Sequence, residues 1–476
     1  MNSRLQRVLI SSAAIAGLVA IVHFAYTRPG YFTDATYIAG LLLLQVVVVG
    51  VWHYEKMFFG LLLFIFVWAG TGLPYGSAGT SARWLVLAVA AFAGLVRWMR
   101  SYRQHFQVFD LVALICASTA LFSVVVSTLP QMALLKAFSL FLLFLYGATG
   151  ARLAVLGRED SFINGLVACC EISVYLTSIL YFVFGYPFFG NTNSLGAVMG
   201  VLVSPVLIWA SSVAGPGFLR RRRILALFLS WALLYFSVSR AGIVAAVFSS
   251  AILCIVSRRR NLLMGAGLVL LLLFATAQVL MPEGSDALLT TVRSSVLYKG
   301  REREGLFGSR KTPWQRTMAV IDEHPWFGSG FGTSDIGTDG RRVSASAVET
   351  NEEAGREHGS SYLALVEWVG LLGVLPFAFL FALLLQRIAA TFAWLYKTAD
   401  LNHCAIPLAL VLTSGLVHGF FEDWIVAVGY YLTVLFWSFA FIFMCVAPRS
   451  SARAVQTTRF WSGGLASSPG VVALRR

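Results

Sequence analysis

Three residues have a type and a setting that suit chemistry on an anionic group. Arg240 lies in Ser237-Val-Ser-Arg-Ala-Gly242, between two apolar runs, where small neighbours leave room beside its side chain. Arg310 directly precedes a predicted helix, and helix N-termini favour anions. A guanidinium binds phosphate through two parallel hydrogen bonds. His358 precedes another apolar run, and histidine is the side chain best suited to act as a general base near neutral pH.

Each of the three also has a plain structural interpretation. Arg240 can be an arginine at a helix end that extends its charge to the membrane surface. Arg310 can be a solvated loop charge, and His358 a structural or solvated histidine. Both interpretations stay open at this point.

An amphipathic helix is predicted between Arg310 and His358. Thr312 as N-cap and Pro313 in the first turn start it, and His324-Pro325 ends it after Glu323. Its apolar face carries Trp314, Met318 and Ile321, and we expect it on the membrane surface or against the helix bundle.

Further binding candidates lie on this helix and near the C-terminus. Trp314 and Arg316 belong to the helix, where Arg316 can bind a substrate phosphate or simply touch lipid phosphates. Glu422 and Asp423 can orient a substrate hydroxyl, or merely face solvent. The glycines of Gly328-Ser-Gly-Phe-Gly332 predict a turn with close backbone approach, and no βαβ unit makes them a dinucleotide fingerprint.

The sequence contains no motif that is typical of metal or cofactor binding. The outer loops contain no Asp-x-Asp pair, no His, Cys and carboxylate cluster has ligand spacing, and there is no P-loop. The six cysteines all lie in or at the edge of apolar segments, which suggests neither a disulfide framework nor a Cys-based metal site. We therefore expect no metal and no cofactor.

The elements that position these residues are membrane spans. The chain has 476 residues, of which 58% are hydrophobic and 12% charged, with mean hydropathy +0.77, whereas soluble proteins carry about 25% charged residues. We predict an all-α, polytopic transmembrane helix bundle of about 12–14 spans. The apolar segments are 8–26, 33–52, 57–74, 82–99, 108–128, 131–150, 164–186, 193–213, 222–239, 241–257, 262–281, 360–385, 404–421 and 425–446.

Ionisable residues inside these spans are functional by default, because burying a charge in a membrane is costly. Asp110 and Lys136 lie near span ends, and Glu171 and Glu367 lie deeper. The sequence connects none of them into a relay.

The charge pattern predicts the orientation. The net charge is +14, and the arginines cluster in alternate short loops, which indicates membrane topology rather than nucleic-acid binding. We expect a bundle of about 11 spans at 1–281, an extracytoplasmic loop at 282–359, about 3 further spans at 360–447 and a cytoplasmic basic tail at 448–476. Both termini are then cytoplasmic, and in a bacterium the loop is periplasmic.

In their order and topology, several motifs resemble the O-antigen ligase / O-antigen polymerase superfamily. They are Ser-x-Ser-Arg-Ala-Gly, Arg310-x-x-x-Trp314, His324-Pro-Trp-Phe-Gly-Ser-Gly-Phe-Gly332, and His358 leading into Ser361-Tyr-Leu-Ala-Leu-Val-Glu-Trp-Val-Gly-Leu-Leu-Gly373. The resemblance covers roughly residues 190–430. Family members usually have Asn directly after this histidine, where this chain has Gly359.

The resemblance implies an inverting, metal-independent glycosyltransferase of the bacterial inner membrane. Its donor would be an undecaprenyl-pyrophosphate-linked oligosaccharide, with Arg240 and Arg310 on the pyrophosphate and His358 assisting the glycan acceptor. Membrane lipids, a chain-length regulator and other polysaccharide-assembly proteins are the implied partners, and nucleic acid is not.

Three functions remain as alternatives. The first is a polymerase that extends an O-antigen or exopolysaccharide, which Glu422-Asp-Trp and the high span count favour. The second is a ligase that transfers the glycan to lipid A core. The third is a transporter or flippase of lipid-linked sugar, which would favour paired broken helices and midplane charges rather than one polar loop.

Overall fold

The structure is a computed structural model. It describes residues 55–71, 76–100, 106–186, 188–259, 308–334 and 356–448. The predicted spans 8–26, 33–52 and 262–281, residues 282–307 and 335–355 of the predicted loop, and the tail beyond 448 lie outside the described residues.

The described residues form helices and contain no strand, which confirms the all-α prediction. In chain order the helices are α1 Glu55–Ala69, α2 Gly76–Arg100, α3 Val108–Phe122, α4 Pro130–Val155, α5 Glu159–Phe184, α6 Thr192–Val213, α7 Phe218–Phe236, α8 Arg240–Val256, α9 Gly308–Glu323, α10 Ser361–Thr398, α11 Ala405–His418 and α12 Tyr431–Val446.

Every predicted span on described residues coincides with a helix. Six helices in the described part of the chain are long and apolar enough to cross a membrane: α2, α3 with its terminal 3-10 turn, α4, α5, α6 and α10. Two predicted bounds are wrong. The span at 360–385 continues to Thr398 as α10, since Arg387 is accommodated by donating to the Ala447 carbonyl (2.7 Å). The span at 425–446 becomes helical only at Tyr431.

Most of the ionisable residues within the spans are paired inside the bundle. Asp110 of α3 accepts two hydrogen bonds from Arg152 of α4, at 2.8 and 2.6 Å, and both side chains are buried. Glu171 of α5 pairs with Arg222 of α7 at 2.7 Å. These pairs join neighbouring helices. They give Asp110 and Glu171 a structural role in place of the functional role expected for ionisable residues inside a span.

Small residues let α6 and α8 touch backbone to backbone. A Cβ added at Gly200 would strike the backbone of Gly242, and one added at Gly242 would strike the carbonyl of Gly196. The turn before α8 is capped by Ser239, whose hydroxyl accepts from the Gly242 amide at 3.4 Å. Close packing of the three glycines fixes the N-terminus of α8, where Arg240 is the first residue.

Helix α9 differs from its prediction in two ways. It begins at Gly308, so Pro313 lies inside the helix and Thr312 is not its N-cap. Its buried residues are Thr317 and Val320, while Met318 is 46% exposed. The helix packs against α10. Its buried face is therefore determined by this packing and is not the face predicted from Trp314, Met318 and Ile321.

Candidate functional site

Helix α10 is broken at Gly370, and the glycine-rich segment 328–332 fills the break. Gly370 has φ 69° and ψ 176°, so the helical hydrogen bonds are interrupted there. The amides of Ser329 and Gly330 donate to the carbonyls of Glu367 and Trp368 at 2.8 and 3.1 Å. The carbonyls that end the first part of α10 therefore find donors in the loop.

The second part of α10 is capped in the same way from the other side. The Leu371 amide donates to Pro325 at 2.8 Å, and the Leu372 amide donates to Trp326 at 3.3 Å. A Cβ at Gly328 would lie 2.6 Å from the Glu367 carbonyl oxygen. The predicted turn with close backbone approach is present.

The same segment also contacts helices from the first half of the chain. The Phe331 amide donates to the Ser123 hydroxyl at 3.0 Å, and Thr333 and Ser127 share a hydrogen bond of 2.9 Å. Lys136 of α4, charged within a predicted span, donates to the Gly332 carbonyl at 2.6 Å. The loop segment is therefore a folded part of the bundle.

His358 is held from both sides of its ring. Its Nδ1 and its backbone amide both lie on Asp423 Oδ2, at 2.9 and 2.7 Å. Its Nε2 lies 3.5 Å from Glu367 Oε1, and the ring meets Trp368 edge-on with centroids 5.2 Å apart. The residue is 3% exposed.

The electrostatics of this arrangement favour the charged imidazole. Burial alone would lower the pKa of His358, but the hydrogen bond to Asp423 and the charge of Glu367 outweigh it and raise the pKa above its ordinary value. Burial would raise the pKa of Asp423, yet the hydrogen bonds from His358 hold it below its ordinary value. Asp423 is thus an ionised acceptor, and Nδ1 must carry a proton.

Three hydrogen bonds from Ser361 and Trp314 hold the segment that carries His358. Ser361, the first residue of α10, donates through its amide to the Gly419 carbonyl and through its hydroxyl to the Glu422 carbonyl, at 2.8 and 2.6 Å. Trp314 of α9 donates through Nε1 to the Gly359 carbonyl at 3.1 Å. The histidine segment is therefore fixed between α9 and the turn that precedes α12.

Arg310 lies beside this histidine and forms ion pairs with Glu357 and Glu422. Burial raises the pKa of Glu422 to about 7, although Arg310 opposes the shift. Arg240 lies within electrostatic range of Arg310. The charges of the two arginines predicted to act on one anion, on α8 and on α9, therefore influence each other.

Arg356 and Glu367 lie at the centre of the site, although neither was named as a site residue from the sequence. Arg356 forms an ion pair with Glu367 and donates through Nε to the Ser334 hydroxyl at 2.9 Å. Ser334 in turn donates to Glu367 Oε1 at 2.6 Å. Arg356 is 5% exposed and Glu367 is fully buried. The rarity of a carboxylate deep in an apolar run was the signal that pointed to Glu367.

The structure therefore brings together Arg310, His358, Glu422 and Asp423, and Arg240 lies within electrostatic range of Arg310. Asp423 contacts the histidine and Glu422 contacts Arg310, so each carboxylate has a partner within the protein rather than facing solvent alone.

The remaining binding candidates lie on α9. Trp314 supports the histidine segment through the Gly359 carbonyl. Arg316 is half-buried on the same helix, and its role at a phosphate stays a prediction.

Comparison with known proteins identifies the family of this region. A search of the curated proteins found no match. Residues 225–378, roughly a third of the chain, match the family profile described as O-antigen ligase, and this range includes Arg240, Arg310 and His358 but ends before Glu422. The match confirms the resemblance that the sequence motifs indicated. The chain carries, at residues 225–378, a domain of the O-antigen ligase family.

Proposed function

We propose that this protein is a membrane glycosyltransferase that polymerises undecaprenyl-pyrophosphate-linked oligosaccharide repeat units into a surface polysaccharide. One observation carries the proposal: Arg310, in electrostatic range of Arg240, lies beside the segment of His358, whose ring is fixed by a carboxylate. Such a set can bind a pyrophosphate and take a proton from a hydroxyl in one place. The family match supports transfer of a lipid-linked glycan.

The arginines would stabilise the leaving group. As the bond between the anomeric carbon and the phosphate oxygen breaks, negative charge builds on the lipid pyrophosphate, and Arg240 and Arg310 offset it in a site of low dielectric constant. In the structure Arg310 is paired with Glu357 and Glu422. The donor pyrophosphate would take over these positions on its guanidinium. The chemistry needs no metal or cofactor in this scheme.

His358 would act on the acceptor. Nδ1 is already engaged by Asp423, so Nε2 is the atom that can take the proton as the acceptor oxygen forms its bond to the anomeric carbon. Because the pKa of His358 is raised, the imidazole is charged at low pH, where it cannot accept a proton. The rate should therefore fall as the pH drops through the pKa of His358.

A purified lipid-linked repeat unit tests the proposal. The wild-type protein should produce a ladder of longer lipid-linked glycans, and Arg240→Ala and His358→Ala should abolish the ladder while the protein still inserts and purifies normally. Full polymer from both variants would refute the proposal. Ser250→Ala, ten residues further along α8 than Arg240, is the matched control and should leave the ladder unchanged.

A ligase is the second candidate, because the matched family is described by that activity. The same reaction with lipid A core added as acceptor separates the two. Glycan appearing on lipid A, with no ladder on the lipid carrier, would replace the polymerase by the ligase.

A non-enzymatic transporter or flippase has weaker support. Transporters build midplane sites from broken helices, and α10 is broken at Gly370. Loop amides and carbonyls already form four hydrogen bonds with the backbone at that break. Movement of lipid-linked sugar across vesicles without a glycosidic product would favour this alternative.

The topology belongs to the same proposal. We place the protein in the bacterial inner membrane with both termini cytoplasmic, the loop 282–359 periplasmic between bundles at 1–281 and 360–447, and the basic tail at 448–476 cytoplasmic. Glycan acceptor, membrane lipids and a chain-length regulator or other assembly proteins would be its partners. Labelling of single cysteines introduced at Lys311 and Lys397 from either side of the membrane tests the orientation.

A further inference from the structure

We propose that Glu367 is a positioning residue of this site: it faces Nε2 of His358, with Arg356 as its counter-ion, and sets the pH at which the imidazole can accept a proton. The inference rests on the proposed function, in which His358 takes the proton of the acceptor hydroxyl. It adds a carboxylate from inside α10 to a site otherwise built from α8, the loop and the turn before α12.

The first step is the proton on Nδ1. Asp423 Oδ2 lies 2.9 Å from Nδ1 and also accepts the backbone amide of His358. An ionised carboxylate can only accept hydrogen bonds, so Nδ1 donates. Nε2 is then the ring atom whose protonation changes during a reaction.

The second step concerns what faces Nε2. Glu367 Oε1 lies 3.5 Å away, and both side chains are buried. Among the described residues Nε2 has no hydrogen-bond partner. A lone pair on Nε2 would face a carboxylate oxygen at this distance, whereas a proton there is attracted to it, so Glu367 favours the imidazolium.

The third step is the counter-ion. Arg356 pairs with Oε2 of Glu367, and Ser334 donates to Oε1. These contacts favour the ionised form of Glu367 in a buried site. The alternation Asp423, His358, Glu367 and Arg356 then places each charge beside one of opposite sign. Arg310, which is paired with Glu357 and Glu422, lies next to this row.

The consequence is a more basic Nε2 that becomes available only at higher pH. A stronger base removes the hydroxyl proton more readily, but the resting proton must first dissociate to water. The bonds of the transfer do not change: the acceptor O–H breaks with its proton going to Nε2, the glycosidic bond forms and the bond to pyrophosphate breaks.

Glu367→Gln tests the inference, because it keeps the shape and the hydrogen-bonding capacity and removes the charge. We expect the acid limb of kcat/KM against pH to move to lower pH by about one unit, the lower end of the range for a neighbouring charge, since Arg356 already balances part of it. The pKa of His358, measured by hydrogen exchange at its ring carbon with mass spectrometry, should fall by the same amount.

Two variants control for damage to the fold. Glu367→Asp keeps the charge and should hold the acid limb near its wild-type pH even if kcat falls. Glu171→Gln removes a buried carboxylate paired with Arg222, away from the histidine, and should leave both readouts unchanged. An unshifted His358 pKa in Glu367→Gln, or an equal shift in Glu171→Gln, would overturn the inference.

The ring-exchange measurement separates this inference from the proposed function, because it needs no turnover. A lowered His358 pKa in Glu367→Gln together with full activity of His358→Ala would support the electrostatic role and refute the base. An unshifted His358 pKa in Glu367→Gln together with an inactive His358→Ala would refute the electrostatic role of Glu367 and support His358 as the base.

Discussion

Replacement of Gly370 by alanine should undock the glycine-rich segment from α10. At φ 69° and ψ 176°, the backbone of Gly370 lies in a region essentially restricted to glycine, and another residue there costs about 1–3 kcal/mol. The added Cβ would also strike the backbone of Trp326 and Phe327. The chain can relieve the backbone strain and the clash together only if the glycine-rich segment moves away from the break in α10.

The magnitude follows from the contacts across the break. Four backbone hydrogen bonds join residues 325–330 to residues 367–372. At about 1 kcal/mol each they contribute about 4 kcal/mol to docking. Losing them corresponds to about a thousandfold increase in the population of the undocked segment. Ser334 lies on the same segment and donates to Glu367, so the charged cluster should lose its geometry as well.

Hydrogen exchange measures this directly. The amides of Ser329 and Gly330 should exchange about a thousandfold faster in Gly370→Ala, and transferase activity should be lost while the protein remains inserted. Gly165→Ala in α5 is the control, because a Cβ there meets nothing within 4 Å. Wild-type exchange at both amides with full activity in Gly370→Ala would refute the reasoning.

Three further predictions concern single contacts. Arg152→Met should destabilise the protein by about 3–5 kcal/mol, because it leaves Asp110 buried and charged, and Asp110→Asn added to it should restore part of the loss of melting temperature in detergent. Trp314→Phe loses the hydrogen bond to Gly359, worth about 1 kcal/mol, and should lower kcat/KM about fivefold, whereas an unchanged value would show that the contact does not position the histidine. The pKa of Glu422 is about 7, so its carboxylate competes for Arg310 above that pH and is neutral below it. Glu422→Gln should therefore bind inorganic pyrophosphate more tightly than the wild type at pH 8, with the ratio of inhibition constants approaching one at pH 6, and a ratio independent of pH would contradict this.

The sequence predicted those features that depend on local pattern. Apolar length fixed the spans, because each membrane-spanning helix must satisfy its own backbone. The glycines at 328, 330 and 332 predicted close backbone approach, and each has positive φ in the structure. The arginines and the histidine stood out because charge is rare in this chain.

Other features depend on partners far apart in the chain and could not be predicted in this way. No pattern in the sequence singles out Arg356, and only the folding of α10 places Glu367 against it. Thr312 and Pro313 form a strong start signal for a helix, yet the ion pairs of Arg310 support an additional turn before them. The sequence left open whether Asp423 orients a substrate hydroxyl or faces solvent, and its contact with His358 needs the turn before α12.

The docking of the glycine-rich segment has a consequence for how the protein is made. Phe331 donates to Ser123, 208 residues earlier, whereas Ser329 and Gly330 donate to carbonyls of α10 that are synthesised later. Translation adds about 5–20 residues per second, so Phe331 is synthesised at least about ten seconds after Ser123. Asp423 follows His358 by several more seconds. A ribosome that stops before the turn preceding α12 leaves a chain with most of its helices in the membrane and no complete charged cluster. The charged cluster around His358 can therefore form only after the turn that precedes α12 has been synthesised.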